Sequence, residues 1–232
     1  MPELQLRGGE VDGLRLHYVV EGRGPAVIFV HGLGGFAESW RHNVRPLAGR
    51  AAVYSVDLPG FGESAKPPTH YRLGYFANAL RGFMDALGLA QASLVGHSLG
   101  GSARLYKAAL ARCFHMPDRR EVDFFIDHGY ASRTDGVARA AYLATLRDVR
   151  IDFETHCEDY RRALTTLQHP VLLIHGRQDR VVPAEHCAEV AGVLRHAAVR
   201  WVDACGHFPQ IEHVEAVNGW LVDFLVGRPA PR

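Results

Sequence analysis

Cysteine is scarce and scattered: four residues in a chain of 232, at Cys113, Cys157, Cys187 and Cys205, with no C-x-x-C pair among them. That excludes a zinc ribbon or a thioredoxin-like redox motif, and the four are expected to be free thiols in a reducing cytoplasm. Long apolar runs are missing as well. Ala26 to Val30 and Val171 to Ile174 fall far short of the roughly 18 residues of a membrane-spanning helix. The first ten residues lack the apolar stretch of a secretory signal, so none is expected. Neither sign of charge dominates, with 26 Lys and Arg against 25 Asp and Glu and a formal net charge of +1. Nucleic-acid binding needs a clustered basic face to neutralise phosphates, and a membrane-surface anchor needs a polybasic segment. The even balance argues against both. Among the 14 histidines no H-E-x-x-H or similar spacing occurs, so neither a metal nor any other cofactor is expected. Internal repeats, low-complexity tracts and long linkers are also lacking.

What remains is the composition of an ordinary globular protein, 47% hydrophobic and 22% charged, long enough to bury about 70% of its unfolded surface without covalent staples. Short β-branched runs alternate with helical patterns. Leu14 to Val20 alternates with period 2, and Ala26 to Val30 is continuously apolar, as a strand buried on both faces should be. Ser39 to Leu47 is a short helix candidate and Ala52 to Val56 another strand. Leu73, Phe76, Ala77, Leu80, Phe83, Met84 and Leu87 recur at spacings of three and four before Gly88, which predicts an amphipathic helix. Ser93 to Val95 is a strand running into Gly96. Near the C-terminus the alternation resumes with a strand at Val171 to Ile174 and a helix from Pro183 to Leu194. A strand at Ala198 to Val202 and a helix at Val214 to Val226 follow. The tail from Gly227 is expected to fray. This rhythm predicts an α/β fold with a mainly parallel sheet covered by helices on both faces. The middle differs: Cys113 to His169 has mostly helical spacing and is expected to be a helical insertion, although Val122 to Ile126 has strand propensity.

Four motifs carry chemistry. Gly96-His97-Ser98-Leu99-Gly100 is a G-x-S-x-G nucleophile elbow between a strand and a helix pattern over Gly101 to Arg112. The turn from strand to helix is so tight that the flanking positions have room only for hydrogen. His31-Gly32-Leu33-Gly34-Gly35 follows the strand Ala26 to Val30. Its pliant backbone lets amides converge, so the N–H groups of Leu33 and Leu99 are candidates for an oxyanion hole. Asp179 lies in the turn after the strand Val171 to Ile174, near the carboxyl end where the sites of parallel sheets gather. His207 lies in the loop after Ala198 to Val202. The chain order Ser98, Asp179, His207 is that of one type of serine hydrolase and differs from the others.

On these residues the sequence resembles the α/β-hydrolase superfamily, over about residues 10 to 112 and 164 to 226. It is most similar to the bacterial branch of serine esterases, enol-lactonases and carbon–carbon bond hydrolases. Asp57 to Ser64 (DLPGFGES) matches that branch's turn after the fourth strand, a structural element there. The resemblance implies a catalytic triad in which His207 takes the proton of Ser98 and Asp179 orients the imidazole. It also implies a core formed by residues 1–112 and 164–232 around a helical cap at 113–163. Phe36, Phe124, Phe125 and Phe208 are candidates to line the substrate site, Phe208 because it adjoins His207; Trp40, Phe61 and Tyr130 are weaker ones. Members of the family have a further parallel strand after the elbow helix. Here that helix runs straight into cap-like sequence, so one core strand is expected to be missing unless Val122 to Ile126 supplies it. The loss would leave an open sheet edge beside Ser98.

The resulting expectation is a cytoplasmic serine hydrolase, monomeric or homodimeric, acting on a small-molecule ester with a small or medium apolar acyl group. One alternative is a carbon–carbon bond hydrolase or lactonase with the same triad. Another is a ligand-binding or inactive member, since some plant hormone receptors of this fold keep the triad.

Overall fold

The computed structural model describes residues 3–97, 113–116 and 118–227, with the side chains of 129–134 left aside. Two compact units divide the chain. The first comprises Met1–Gly101 and Phe124–Ile151, the second Ser102–Asp123 and Asp152–Arg232.

The first unit carries a five-stranded sheet of β1 (Glu3–Gln5), β2 (Arg15–Glu21), β3 (Ala26–Val30), β4 (Ala52–Val56) and β5 (Ser93–Gly96), in the order β1-β2-β4-β3-β5. The first two pairings are antiparallel, while β3 runs parallel to both β4 and β5, with Val30 opposite Val56 and Gly96. The continuously apolar β3 sits where its composition predicts, between two strands, with Ile28 and Phe29 fully buried. Helix α1 (Arg41–Ala48) follows a short 3-10 turn, and α2 (Leu73–Ala86) buries Tyr75, Phe76, Ala79 and Phe83 on one face. These pack with Leu16, Tyr18, Ile28 and Val56 into the core, which Ala141 and Tyr142 of the long helix α4 (Gly136–Thr166) also join.

Helix α3 (Arg119–Thr134) decides the ambiguity at Val122 to Ile126: the segment is helical. Asp118 overrides the strand propensity by capping, its carboxylate accepting the N–H of Arg120 at 2.7 Å and its carbonyl that of Val122 at 3.0 Å. Asp135 starts α4 in the same way, through the N–H groups of Val137 and Arg139. No strand therefore lies between β5 and β6 among the described residues, and β5 is an end strand paired with β3 alone. Its Leu94 is 60% exposed, whereas Ile28, its partner on β3, is 0% exposed. The helix expected over Gly101 to Arg112 lies outside the described residues.

The second unit holds the parallel pair β6 (Val171–Gly176) and β7 (Ala197–Val202). With it go α5 (Ala184–Val193), the single turn α6 (Pro209–Glu212) and α7 (Val214–Leu225), whose Val217 and Leu221 are buried. No described helix is long and apolar enough to cross a membrane, and none of the four cysteines is in a disulfide.

Candidate active site

In the second unit the loops after β6 and β7 are laced together. Gln178 N–H donates to the Cys205 carbonyl at 2.9 Å, and Cys205 N–H donates to the Gln178 side chain at 3.0 Å. Across this lacing His207 Nδ1 meets Asp179 Oδ2 at 2.7 Å, with both side chains almost fully buried. The other oxygen, Oδ1, accepts the N–H groups of Val181 and Val182 at 2.7 and 2.9 Å. Burial alone would raise the Asp179 carboxyl. The hydrogen bond from His207 and the two backbone amides outweigh it, and the group sits below its ordinary value. An ionised carboxylate only accepts, so the shared proton belongs to His207 Nδ1, which makes Nε2 the basic atom of the neutral ring. Nearby, His175 Nε2 donates to the Val182 carbonyl at 3.0 Å and stands 3.6 Å from Asp179 Oδ2. Phe208 packs its ring on Phe114, with centroids 5.0 Å apart, and lies edge-on to His207.

In the first unit the glycine loop after β3 is held by His31. Leu58 N–H donates to its Nε2 at 3.0 Å, which puts the proton on Nδ1, bonded to the Gly32 carbonyl at 2.7 Å. Burial lowers the affinity of His31 for a second proton, so the ring stays neutral and acts as a brace. Gly35 closes the loop through its N–H to Gly32 O, and the Leu33 side chain packs on the core. Beyond the loop, Phe36 meets Phe124, Phe125 and His128 with ring centroids 5.4–5.9 Å away, and the Arg41 guanidinium lies 3.5 Å over the Phe124 ring. Three of the four candidate substrate aromatics thus form one cluster, and Phe208 belongs to the other unit. Trp40, stacked on Phe29, and Phe61 are core residues. Ser98 and Leu99 lie outside the described residues, as does the side chain of Tyr130.

The DLPGFGES turn owes its shape to Asp57. Its Oδ1 accepts Ala37 N–H at 2.6 Å, and Oδ2 accepts Glu63 N–H and bonds His17 Nδ1, both at 2.8 Å. Ser64 Oγ donates to the Asp57 carbonyl and accepts His17 N–H. Sequence reasoning gave no role to His17, His31, Gln178 or His175. The spacing of His31 directly before the glycines was a usable signal for the brace. His17, on a period-2 strand among apolar residues, carried none. Among the described residues no group of three or more His, Cys, Asp or Glu is placed to hold a metal ion.

The profile of the alpha/beta hydrolase fold family matches residues 25–119 and 123–214. The chain belongs to this family. As an alpha/beta hydrolase it is 27% identical, over 93% of its length and 89% of the relative's, to 2-hydroxy-6-oxo-6-(2'-aminophenyl)hexa-2,4-dienoic acid hydrolase of Metapseudomonas resinovorans. It is 30% identical, over 94% of its length, to the dihydrolipoyllysine-residue acetyltransferase component of the acetoin cleaving system of Cupriavidus necator, spanning 68% of that protein. Among solved structures, the enol-lactonase from Burkholderia xenovorans superposes with a TM-score of 0.80 at 21% identity, covering 97% of this chain and 99% of that one. An esterase from Exiguobacterium antarcticum gives a TM-score of 0.78 at 18% identity, covering 96% and 98%. At those identities the two structures speak for the fold. The homologues of this hydrolase include carbon–carbon bond hydrolases, and its structural neighbours include a lactonase and an esterase.

Proposed function

We propose that this alpha/beta hydrolase is a serine hydrolase that cleaves small or medium apolar carboxylic esters through an acyl-enzyme. The observation that carries the reading is the buried hydrogen bond between His207 Nδ1 and Asp179 Oδ2, because it fixes the tautomer a Ser–His mechanism needs. Ser98 is the nucleophile. Its Oγ attacks the ester carbonyl carbon while its proton passes to His207 Nε2, and Asp179 stabilises the imidazolium. The N–H groups of Leu33 and Leu99 bind the oxyanion, each typically worth about 3 kcal/mol. The C–O bond breaks, and the alcohol leaves with the proton from His207. Water, deprotonated by His207, then attacks the acyl carbon, and the acid departs as Ser98 recovers its proton. Phe36, Phe124 and Phe125 give the acyl group an apolar wall, and Phe208 packs beside the base. The segment 113–163 serves as the cap, the substrate is a small molecule, and the protein works in the cytoplasm as a monomer or homodimer without a cofactor.

A second reading, carbon–carbon bond or lactone hydrolysis by the same triad, draws support from the dienoic acid hydrolase relative. A fluorophosphonate probe on the wild type and Ser98→Ala tests the nucleophile: labelling of the wild type alone is expected, and equal labelling of both overturns it. Turnover of an aryl-ester panel against a lactone and a vinylogous diketone then separates the two readings.

A further inference from the structure

Glu212 has a placement that the triad chemistry leaves unused. It closes the single turn α6, whose Ile211 and Glu212 N–H groups both donate to the Phe208 carbonyl. That turn doubles the chain back, so the carboxylate returns to the loop it has just left. Oε1 accepts Gly206 N–H at 2.9 Å, immediately before His207, and stands 3.9 Å from the Cys205 thiol. Oε2 accepts His115 N–H at 2.7 Å and Met116 N–H at 3.4 Å. One carboxylate therefore ties the His207 loop to residues 113–116. A second tie runs in parallel, from His207 N–H to the Cys113 carbonyl. Charge-assisted bonds to backbone amides are about twice as strong as neutral ones and fix direction as well as distance. The loop 204–208 forms no strand or helix of its own, so ties of this kind, with those to Gln178, hold it in place.

We propose that Glu212 is a positioning residue for His207: by clamping Gly206 N–H to residues 115–116 it holds the imidazole at the distance and angle that its bond to Asp179 requires. This rests on the reading of His207 as the general base, and Glu212 itself touches neither substrate nor reacting atoms. Cys205, fully buried beneath the clamp, has its thiol pushed up by burial first and by the charges of Glu212 and Asp179 next, so it stays protonated and does not compete as a nucleophile.

The test uses the full chain with Glu212→Gln and Glu212→Ala. The glutamine keeps one carbonyl acceptor and so one of the two ties; the alanine loses both. On an aryl ester, kcat is expected to fall about tenfold in the first and about 100-fold in the second, the scale of a misplaced catalytic group. KM should stay within about twofold, because the substrate contacts are untouched. Proton NMR supplies a readout that needs no turnover: the Nδ1–H shared by His207 and Asp179, assigned by its loss in His207→Gln, should broaden in both variants. Should Glu212→Ala fail to fold, the glutamine variant decides alone. A folded Glu212→Gln protein with wild-type kcat and an unchanged resonance overturns the proposal. If the wild type turns over no ester, the resonance decides by itself: broadening supports the clamp while the esterase reading fails, and no change overturns the clamp.

Discussion

Among the described residues stand two buried histidine–carboxylate pairs of nearly the same geometry, one in each unit. His17 Nδ1 meets Asp57 Oδ2 at 2.8 Å, and His207 Nδ1 meets Asp179 Oδ2 at 2.7 Å. Each carboxylate also accepts two backbone N–H groups, from Ala37 and Glu63 in the first and from Val181 and Val182 in the second. Judged by the hydrogen bond alone they are the same object. They differ in where the chain puts them. His17 lies within strand β2, its Nε2 is buried without a partner, and its own backbone N–H is taken by Ser64. His207 lies on a loop after β7 and Asp179 on a loop after β6, the end of a parallel sheet where ligands gather. An oriented imidazole becomes a base only where its second nitrogen can meet something that reacts; in the first pair the core surrounds it and the pair becomes an anchor for the DLPGFGES turn.

The sharpest way to break the comparison is to neutralise each acid in turn. Asp179→Asn keeps an oxygen for the Val181 and Val182 amides but presents an amide to His207 and favours the wrong tautomer. A fall in kcat of about 10⁴ is expected on that ground, along with a loss of thermal stability, since Asp179 is also a buried partner. Asp57→Asn should lose stability alone, leaving kcat of the folded protein within a few-fold. Removing one partner of a buried pair costs about 3 kcal/mol at the low end of its range, which in a chain of this size lowers Tm by about 6–12 °C. Steady-state kinetics and thermal melts on both variants suffice. If Asp57→Asn loses turnover while keeping its Tm, the two pairs have been assigned the wrong way round.

Of the two pairs, the sequence marks only the one in the proposed triad: Ser98, Asp179 and His207 stand out through the glycines and proline around them and through their order. The strand Ala26 to Val30 follows from its unbroken apolar run, and the helix over Leu73 to Leu87 from periodicity. The His17–Asp57 pair was invisible, because a hydrogen bond between residues far apart in the chain depends on the pairing of β2 with β4, which no local pattern encodes. Val122 to Ile126 stayed ambiguous for a related reason: its spacing is helical while its β-branched and aromatic residues favour a strand, and a capping aspartate at 118 settles the matter for helix. The strand that the sequence leaves out after the elbow helix is absent among the described residues, where Leu94 of β5 is 60% exposed.

A milder perturbation adds a methyl group beside each pair. A Cβ on Gly206 would stand 2.4 Å from the Cys113 carbonyl oxygen, so Gly206→Ala must push the His207 loop off its clamp. A loss of about 100-fold in kcat is expected from such a displacement. A Cβ on Gly62 would stand 2.1 Å from Asp57 Oδ2, at a φ of +48° that L side chains rarely adopt. Gly62→Ala should therefore cost about 1–3 kcal/mol in chemical denaturation and leave the turnover of the folded protein near wild type. Equal effects of the two substitutions on kcat would remove the distinction between anchor and base.

The smallest expected effect is in the pH dependence of stability, where the carboxyls and His17 act with opposite sign. Burial would raise both carboxyls, but their hydrogen bonds hold Asp57 and Asp179 below the ordinary carboxylate value. The unfolded chain then binds protons more readily, so each contributes stability that is present above about pH 4 and is lost as pH falls through the folded value. His17 moves the other way: the hydrogen bond to Asp57 raises it against the opposing effect of burial. Its contribution is complete below about pH 6.5 and fades as pH rises through the raised value. His17→Gln should flatten the decline of Tm above neutral pH, while Asp179→Asn should soften the acid limb. If His17→Gln retains the full alkaline decline of the wild type, the pair at Asp57 is not a charged one, and the anchor holds through neutral hydrogen bonds alone.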